Sequence, residues 1–111
     1  MIDLQGDLTG DELVRLMAAL ANPHRLRVLA ALHANRVHVS GLARDVGMSR
    51  PLAHMHLRKL EAAGLVTGHL ELSDEGKAMK YYEVTPFALH LTPDAVAHAA
   101  LTLTDAGEEQ R

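Results

Sequence analysis

The chain has 111 residues and contains no cysteine and no tryptophan; its aromatic residues are Tyr81, Tyr82 and Phe87. Without cysteine there is no disulfide, no thiolate metal ligand and no cysteine nucleophile. With so few rings the core has to be aliphatic, which suits packed helices built from Leu, Val, Ala and Met. No apolar run approaches the roughly 18 residues of a membrane-spanning helix, so no membrane partner is expected. The N-terminal stretch lacks the basic start of a signal peptide, and the expected location is cytoplasmic. Both ends of the chain are acidic on balance. The first twelve residues carry Asp3, Asp7, Asp11 and Glu12 without a Lys or Arg, and the stretch from Glu71 to Arg111 is again acidic.

The net charge of −3 therefore hides a basic centre. Between Pro23 and Leu60 stand Arg25, Arg27, Arg36, Arg44, Arg50, Arg58 and Lys59, against the single acid Asp45. Phosphate contact depends on the field at the contacting surface and not on whole-chain charge, so this distribution is compatible with DNA. A chain of this length is one domain, small enough that dimerisation often completes its core.

Residues 1–8 read as a loose tail, 9–104 as one folded domain and 105–111 as a second tail. Thr9 and Glu12 have capping-box spacing ahead of a stripe of Leu13, Leu16, Met17 and Leu20. Asn22-Pro23 breaks that helix. The next opens at Pro23, with Leu26, Leu29, Ala30 and His33 on one face and Arg25 on another. Val37-His38-Val39 is a short β-prone segment. Ser40 is the expected cap of a two-turn helix carrying Leu42, Ala43 and Val46, and Gly47 its stop. Ser49 then caps a helix that tolerates Pro51 in its first turn. Ala53, His56, Leu57, Leu60 and Gly64 define its inner face, while Arg50, His54 and Arg58 point the other way. Two short helices joined by a glycine turn, the second basic on its outer face, make a helix-turn-helix, the arrangement that presents a helix to the major groove.

After Gly64 the pattern turns strand-like. Leu65-Val66-Thr67 and Met79 to Val84 flank the turn cluster Ser73-Asp74-Glu75-Gly76, a β-hairpin in the position of a wing. A last helix starts at Thr92 and Pro93 and runs to about Thr104. It is apolar nearly all round, which fits a dimer interface made with the first helix. The fold class is mainly α with a small β-hairpin (α+β), a winged helix-turn-helix that is dimeric through its first and last helices.

Four segments in register resemble one family. Ala21-Asn22-Pro23-His24-Arg25-Leu26-Arg27-Val28-Leu29 is similar to the opening of the ArsR/SmtB winged-helix regulators. Ser49-Arg50-Pro51-Leu52-Ala53-His54-Met55-His56-Leu57-Arg58-Lys59-Leu60 resembles their recognition helix. Glu61-Ala62-Ala63-Gly64-Leu65-Val66 resembles the exit into the wing, and Gly76-Lys77 with Tyr81-Tyr82 the return strand. The resemblance covers residues 10–90. It implies a homodimeric transcriptional regulator that binds a short inverted repeat in double-stranded DNA and responds to a ligand, often a metal ion. The wing departs from the pattern: it is longer and carries Glu71, Asp74 and Glu75, offset only by Lys77 and Lys80.

The expected DNA-binding residues are Ser49, Arg50, His54, Arg58 and Lys59, with Lys77 from the wing. Ser49 sits at a helix N-terminus, where a hydroxyl and free N–H groups hold phosphate. Arg50 and His54 lie in the part of the helix that reaches base edges, and Arg58 and Lys59 further along at the backbone. For metals the resemblance is degraded. The family's Cys-x-Cys positions are His38 and Ser40 here. On the last helix Asp94 and His98 stand four apart, followed by Glu108 and Glu109, a loose echo of the family's second site. With eight histidines and no thiolate, Ni(II) or Zn(II) would be the ion, held by Asp94 and His98, with His38 or His90 as weaker alternatives. The bland reading is that His56 is packed or capping, and that His24 and His33 lie on helix surfaces or are satisfied by packing.

No nucleophile-elbow pattern, P-loop or HExxH motif is present, and an enzyme is not expected. The alternative function is a metal-independent winged-helix regulator, or a protein-interaction module acting with a partner protein as co-regulator.

Overall fold

Thr9 and Glu12 hold each other's backbone at the start of the first helix. The Glu12 N–H donates to Thr9 Oγ1 at 3.1 Å, and the Thr9 N–H donates to Glu12 Oε1 at 2.9 Å. This reciprocal cap satisfies two donors that a helix start leaves orphaned, as the spacing predicts. It also holds the Glu12 carboxyl below its usual range. The computed structural model describes residues 2–3 and 8–104. Their order is β1 (Ile2–Asp3), α1 (Gly10–Leu20), α2 (Pro23–Ala34), β2 (Val37–His38), α3 (Val39–Val46), α4 (Arg50–Ala62), β3 (Val66–Leu72), β4 (Ala78–Val84), β5 (Phe87–Ala88) and α5 (Pro93–Ala100). The chain divides into two units, Met1–Ala18 with Pro86–Arg111, and Ala19–Thr85.

In the first unit the start of α1 meets the end of α5. The Gly10 N–H donates to Thr102 Oγ1 at 2.8 Å, and a Cβ at Gly10 would lie 2.5 Å from the Ala99 carbonyl oxygen. Only glycine allows that approach. Thr92 caps α5, its Oγ1 accepting from the Ala95 N–H at 3.0 Å. The helix ends at Ala100 and not near Thr104: the N–H groups of Leu101, Thr102 and Leu103 donate three residues back, to His98, Ala99 and Ala100, so the last turn tightens and the helix does not continue. Part of the stretch expected as a loose tail, Ile2–Asp3, pairs in parallel with Phe87–Ala88.

The second unit holds the helix-turn-helix and the wing. Asn22 Oδ1 accepts from the N–H groups of His24 and Arg25 at 2.9 and 3.1 Å, opening α2. The buried face of α2 is Val28 and Leu32, not the expected Leu26, Leu29, Ala30 and His33; Leu26, Ala30 and His33 are exposed. Both sets fit helical spacing, and which one faces inward depends on the elements packed on it. At α3 the cap is His38 and not Ser40. His38 Nδ1 accepts from the Gly41 N–H at 3.1 Å, and Val39 is already helical. An imidazole acceptor fills the role usually given to a hydroxyl or carboxylate.

Gly47 ends α3 in the left-handed region (φ 71°), and Ser49 Oγ accepts from the Leu52 N–H at 3.3 Å to start α4. Ala53, His56, Leu57 and Leu60 are the buried face of α4, as expected. Gly64 lies beyond the helix end, exposed with φ 79°, and is not part of that face. The three-stranded sheet has the order β2-β4-β3. Its long hairpin is in register from Val66 opposite Val84 to Leu72 opposite Ala78. Ser73 closes the turn: its N–H donates to the Lys77 carbonyl at 2.8 Å, and its Oγ accepts from the Lys77 N–H at 3.1 Å. Opposite Tyr82, Gly68 leaves room for the tyrosine ring, which a Cβ would meet at 2.8 Å. Tyr82 is thereby buried with Val28, Leu42, Leu57 and Leu60 in an aliphatic core. Each such side chain contributes about 1.5–3 kcal/mol on burial.

Candidate nucleic-acid interface

The inner face of α4 is sealed by packing, so its outer face is what the helix-turn-helix presents. Arg50, His54, Arg58 and Lys59 are all exposed. Arg50 and His54 line one shallow groove with Val39 and Pro51; His54, Arg58 and Lys59 line a second with Met55. The structure thus brings together on one helix the cations and the imidazole that the sequence points to. Arg50, Arg58 and Lys59 make no ion pair among the described residues. Their charge is therefore uncompensated within the fold, which is the condition for attracting phosphate. Leu52 and Met55 are partly exposed beside them and had not been expected on this face. Their spacing, one and four residues after Pro51, places them at its margin, a signal that the apolar residue type obscures. Ser49 is exposed at the N-terminus of α4, with its Oγ engaged by the Leu52 N–H.

The wing carries a different electrostatic arrangement. Glu71 on β3 accepts from both Nη atoms of Arg36, with Nη2 at 2.9 Å from Oε1. His69 Nε2 lies 2.8 Å from Glu71 Oε2, and its Nδ1 is 3.9 Å from Glu83 Oε1. The guanidinium holds the Glu71 carboxyl below its usual range, with His69 adding to the effect, and the carboxylate raises Arg36 in turn. Arg36 also lies over the Tyr81 ring at 4.9 Å. Arg36 is thus withdrawn from the basic surplus, and Glu71 from the repulsive one. Lys77 stands exposed at the hairpin turn beside Asp74 and Glu75, and Lys80 lies over the Tyr82 ring at 5.3 Å.

The residues expected to bind metal belong to different units, His38 to the second and Asp94 and His98 to the first. His38 caps α3 through Nδ1 and meets the Tyr81 ring edge-on at 5.7 Å, a structural role. Asp94 and His98 both line a cavity of about 320 Å³ in the first unit, with His90 and an aliphatic wall that includes Leu8, Leu13, Leu89 and Leu91. Among the described residues no three His, Asp or Glu side chains form a group able to hold a metal ion. Asp94 and His98 alone provide two donors, where a closed zinc site needs four. Glu108 and Glu109 lie outside the described residues.

The fold has counterparts among known proteins. Residues 20–69 match the family model described as a helix-turn-helix domain. An uncharacterized HTH-type transcriptional regulator of Methanocaldococcus jannaschii is 32% identical over 85 residues, 77% of this chain and 88% of that protein. The HTH-type transcriptional repressor SmtB of Mycobacterium tuberculosis is 34% identical over 84 residues, 76% of this chain and 59% of that protein. Among solved structures, a homodimeric winged helix-turn-helix DNA-binding domain from Mycobacterium bovis, a possible ArsR-family transcriptional regulator, superposes with a TM-score of 0.61. It is 28% identical, covering 90% of this chain and 82% of that one.

The chain belongs to the ArsR/SmtB family. Like its ArsR/SmtB relatives it is a transcriptional regulator with a DNA-binding helix-turn-helix, not an enzyme. Membership gives α4 the role of recognition helix and the β3–β4 hairpin that of wing. No helix among the described residues is long and apolar enough to cross a membrane.

Proposed function

We propose that this ArsR/SmtB protein acts as a homodimer that binds a short inverted repeat in double-stranded DNA. Arg50 and His54 read base edges in the major groove, Ser49, Arg58 and Lys59 hold the backbone, and Lys77 touches it from the wing. The observation that carries this reading is the exposed, ion-pair-free set of Arg50, Arg58 and Lys59 on the helix that the fold presents outward. Dimerisation is supported by the apolar side chains left exposed in the first unit, Val14, Leu91, Val96, Leu101 and Leu103. A second copy covering them through α1 and α5 would supply the second recognition helix that a two-fold symmetric site requires. Cytoplasmic location follows from the same role.

Selecting duplexes from a randomised pool with the purified protein tests this proposal. The expected product is a two-fold symmetric site bound with steep salt dependence by a species of twice the chain mass in light scattering. Binding that does not change with salt, or a monomeric species on DNA, would overturn it. A protein-interaction module acting through a partner protein predicts the first of those failures.

Control by Ni(II) or Zn(II) belongs to this proposal only as a property of the dimer. Asp94 and His98 of two copies would together supply the four donors that one chain lacks. The favouring observation is that both side chains line one cavity with His90. Metal-independent regulation is the outcome if titration calorimetry of the dimer with either ion gives no stoichiometric binding.

A further inference from the structure

Arg25 and His56 meet where α2 packs on α4. Arg25 Nε donates to the Ala19 carbonyl at 2.8 Å, near the end of α1, and Arg25 Nη1 lies 3.3 Å from His56 Nδ1. A guanidinium has donors only, so His56 Nδ1 is the acceptor and the imidazole is neutral, with its proton on Nε2. His56 is 3% exposed, and its Nε2 is buried without a hydrogen-bond partner among the described residues. Packing alone does not call for this side chain: Leu57 and Leu60 fill neighbouring positions of the same face with no polar atom to satisfy. What the imidazole adds is the acceptor at Nδ1.

We propose that the Arg25–His56 contact positions the recognition helix, fixing α4 against α2 so that Arg50, His54 and Arg58 are presented together, and that it does so only while His56 is neutral. The proposal rests on the reading of α4 as the DNA-reading helix. Protonation would place a hydrogen on Nδ1 facing the guanidinium, which ends the hydrogen bond and sets two cations side by side. Among the described residues, the charged and titratable groups facing His56 are Arg25 and His24 from α2, with the His24 ring stacked at 5.7 Å, and Lys59 from α4 itself. All are cations or can become cations, and no carboxylate stands among them. Burial, then Arg25, His24 and Lys59, hold the imidazole below the ordinary histidine range. Acid therefore favours any arrangement in which α4 has let go of Arg25. His56 contacts no DNA in this scheme; it acts through the helix that carries it.

The test uses the full-length protein, a fluorescent duplex selected by the wild type from a random pool, and two variants. His56→Asn keeps an acceptor near the Nδ1 position and cannot titrate; His56→Leu fills the space with no acceptor. His56→Leu is expected to lose about tenfold in affinity at neutral pH, the order of one hydrogen bond to a charged group, while melting cooperatively. His56→Asn is expected to restore most of that affinity. It is also expected to lack the fall in affinity that the wild type shows once the pH drops below the ordinary histidine range, where the folded imidazole takes up its proton. The two proteins differ only at residue 56, so the difference between their pH profiles belongs to His56. Independently of DNA, nitrogen NMR of the wild-type ring should find Nδ1 unprotonated and Nε2 protonated. Affinity and pH profile of His56→Leu equal to the wild type, or a proton on Nδ1 at neutral pH, overturns the proposal. If no duplex is selected, the DNA reading fails, and the ring spectrum still decides whether the contact exists. If His56→Leu does not fold, His56→Asn and the spectrum carry the decision.

Discussion

Both carboxylate oxygens of Glu71 are taken up by the guanidinium of Arg36, which ties the residue just before β2 to β3. The pair lies on an exposed face of the sheet, where ion pairs add little to folding because water screens them. Its larger consequence is electrostatic. One of the basic residues of the central stretch is spent inside the protein, and one acid of the wing is cancelled. The charge offered to DNA is then concentrated on α4.

Replacing Glu71 by Gln releases Arg36 and removes a negative charge from the wing. Affinity for a non-specific duplex is expected to rise, and the slope of log affinity against log salt to steepen by up to about 0.9, the change for one added phosphate contact. Anisotropy titrations across a salt series read both. An unchanged slope would mean that Arg36 does not reach the backbone even when free.

Arg50→Ala should cost about 1–3 kcal/mol of specific binding, seen as weaker retention of the selected duplex in a gel shift. Arg58→Ala should weaken specific and non-specific duplexes alike, as expected of a backbone contact. Both residues are exposed. Thermal melting should therefore stay within a few tenths of a kcal/mol of the wild type. Loss of specific binding by Arg50→Ala together with a collapsed melt would assign Arg50 to the fold instead.

Gly47→Ala tests the turn alone. A Cβ there meets nothing within 4 Å, so the only cost is holding an L-residue at φ 71°. That cost is roughly 1–2 kcal/mol, to be read as a lower urea midpoint. No loss of stability would mean that the turn relaxes to another conformation when the glycine is replaced.

Acid should destabilise the fold in two stages. His56 is held below its ordinary value when folded, so between that lowered value and about 6.5 the unfolded chain takes up the proton more readily. Stability is therefore complete at neutral pH and declines as pH falls below about 6.5. Glu71 and Glu12 are likewise held low, by Arg36 and by the Thr9 backbone, so their contribution is lost at more acid pH, as they protonate. Urea midpoints measured across this range should fall monotonically with acid, and His56→Asn should remove the upper stage.

Much of the fold was legible because local chemistry fixes it. The Thr9–Glu12 box, the Asn22-Pro23 break, the Gly47 stop and the Ser49 cap each act over four residues or fewer, and each stands where its residue type predicts. The inner face of α4 was legible for the same reason, since its apolar residues leave one face free for Arg50, His54 and Arg58. Where two choices satisfied the same local rule, the sequence could not decide. Ser40 and His38 can both accept a backbone N–H at a helix start, and α2 has apolar residues on more than one face. In both places the answer came from the packing of the second unit, through β2 and through Val28 and Leu32.

The candidate site divides along the same line. The sequence by itself determined which helix is basic outside and apolar inside, and hence which helix we propose meets DNA, because helical period and charge are local properties. Only the tertiary structure decided which charges are free to act. Arg36 meets Glu71 across 35 residues of chain, and Arg25 meets His56 across 31. No sequence spacing encodes contacts at that distance; they exist because strands and helices pack, and packing is a property of the whole unit.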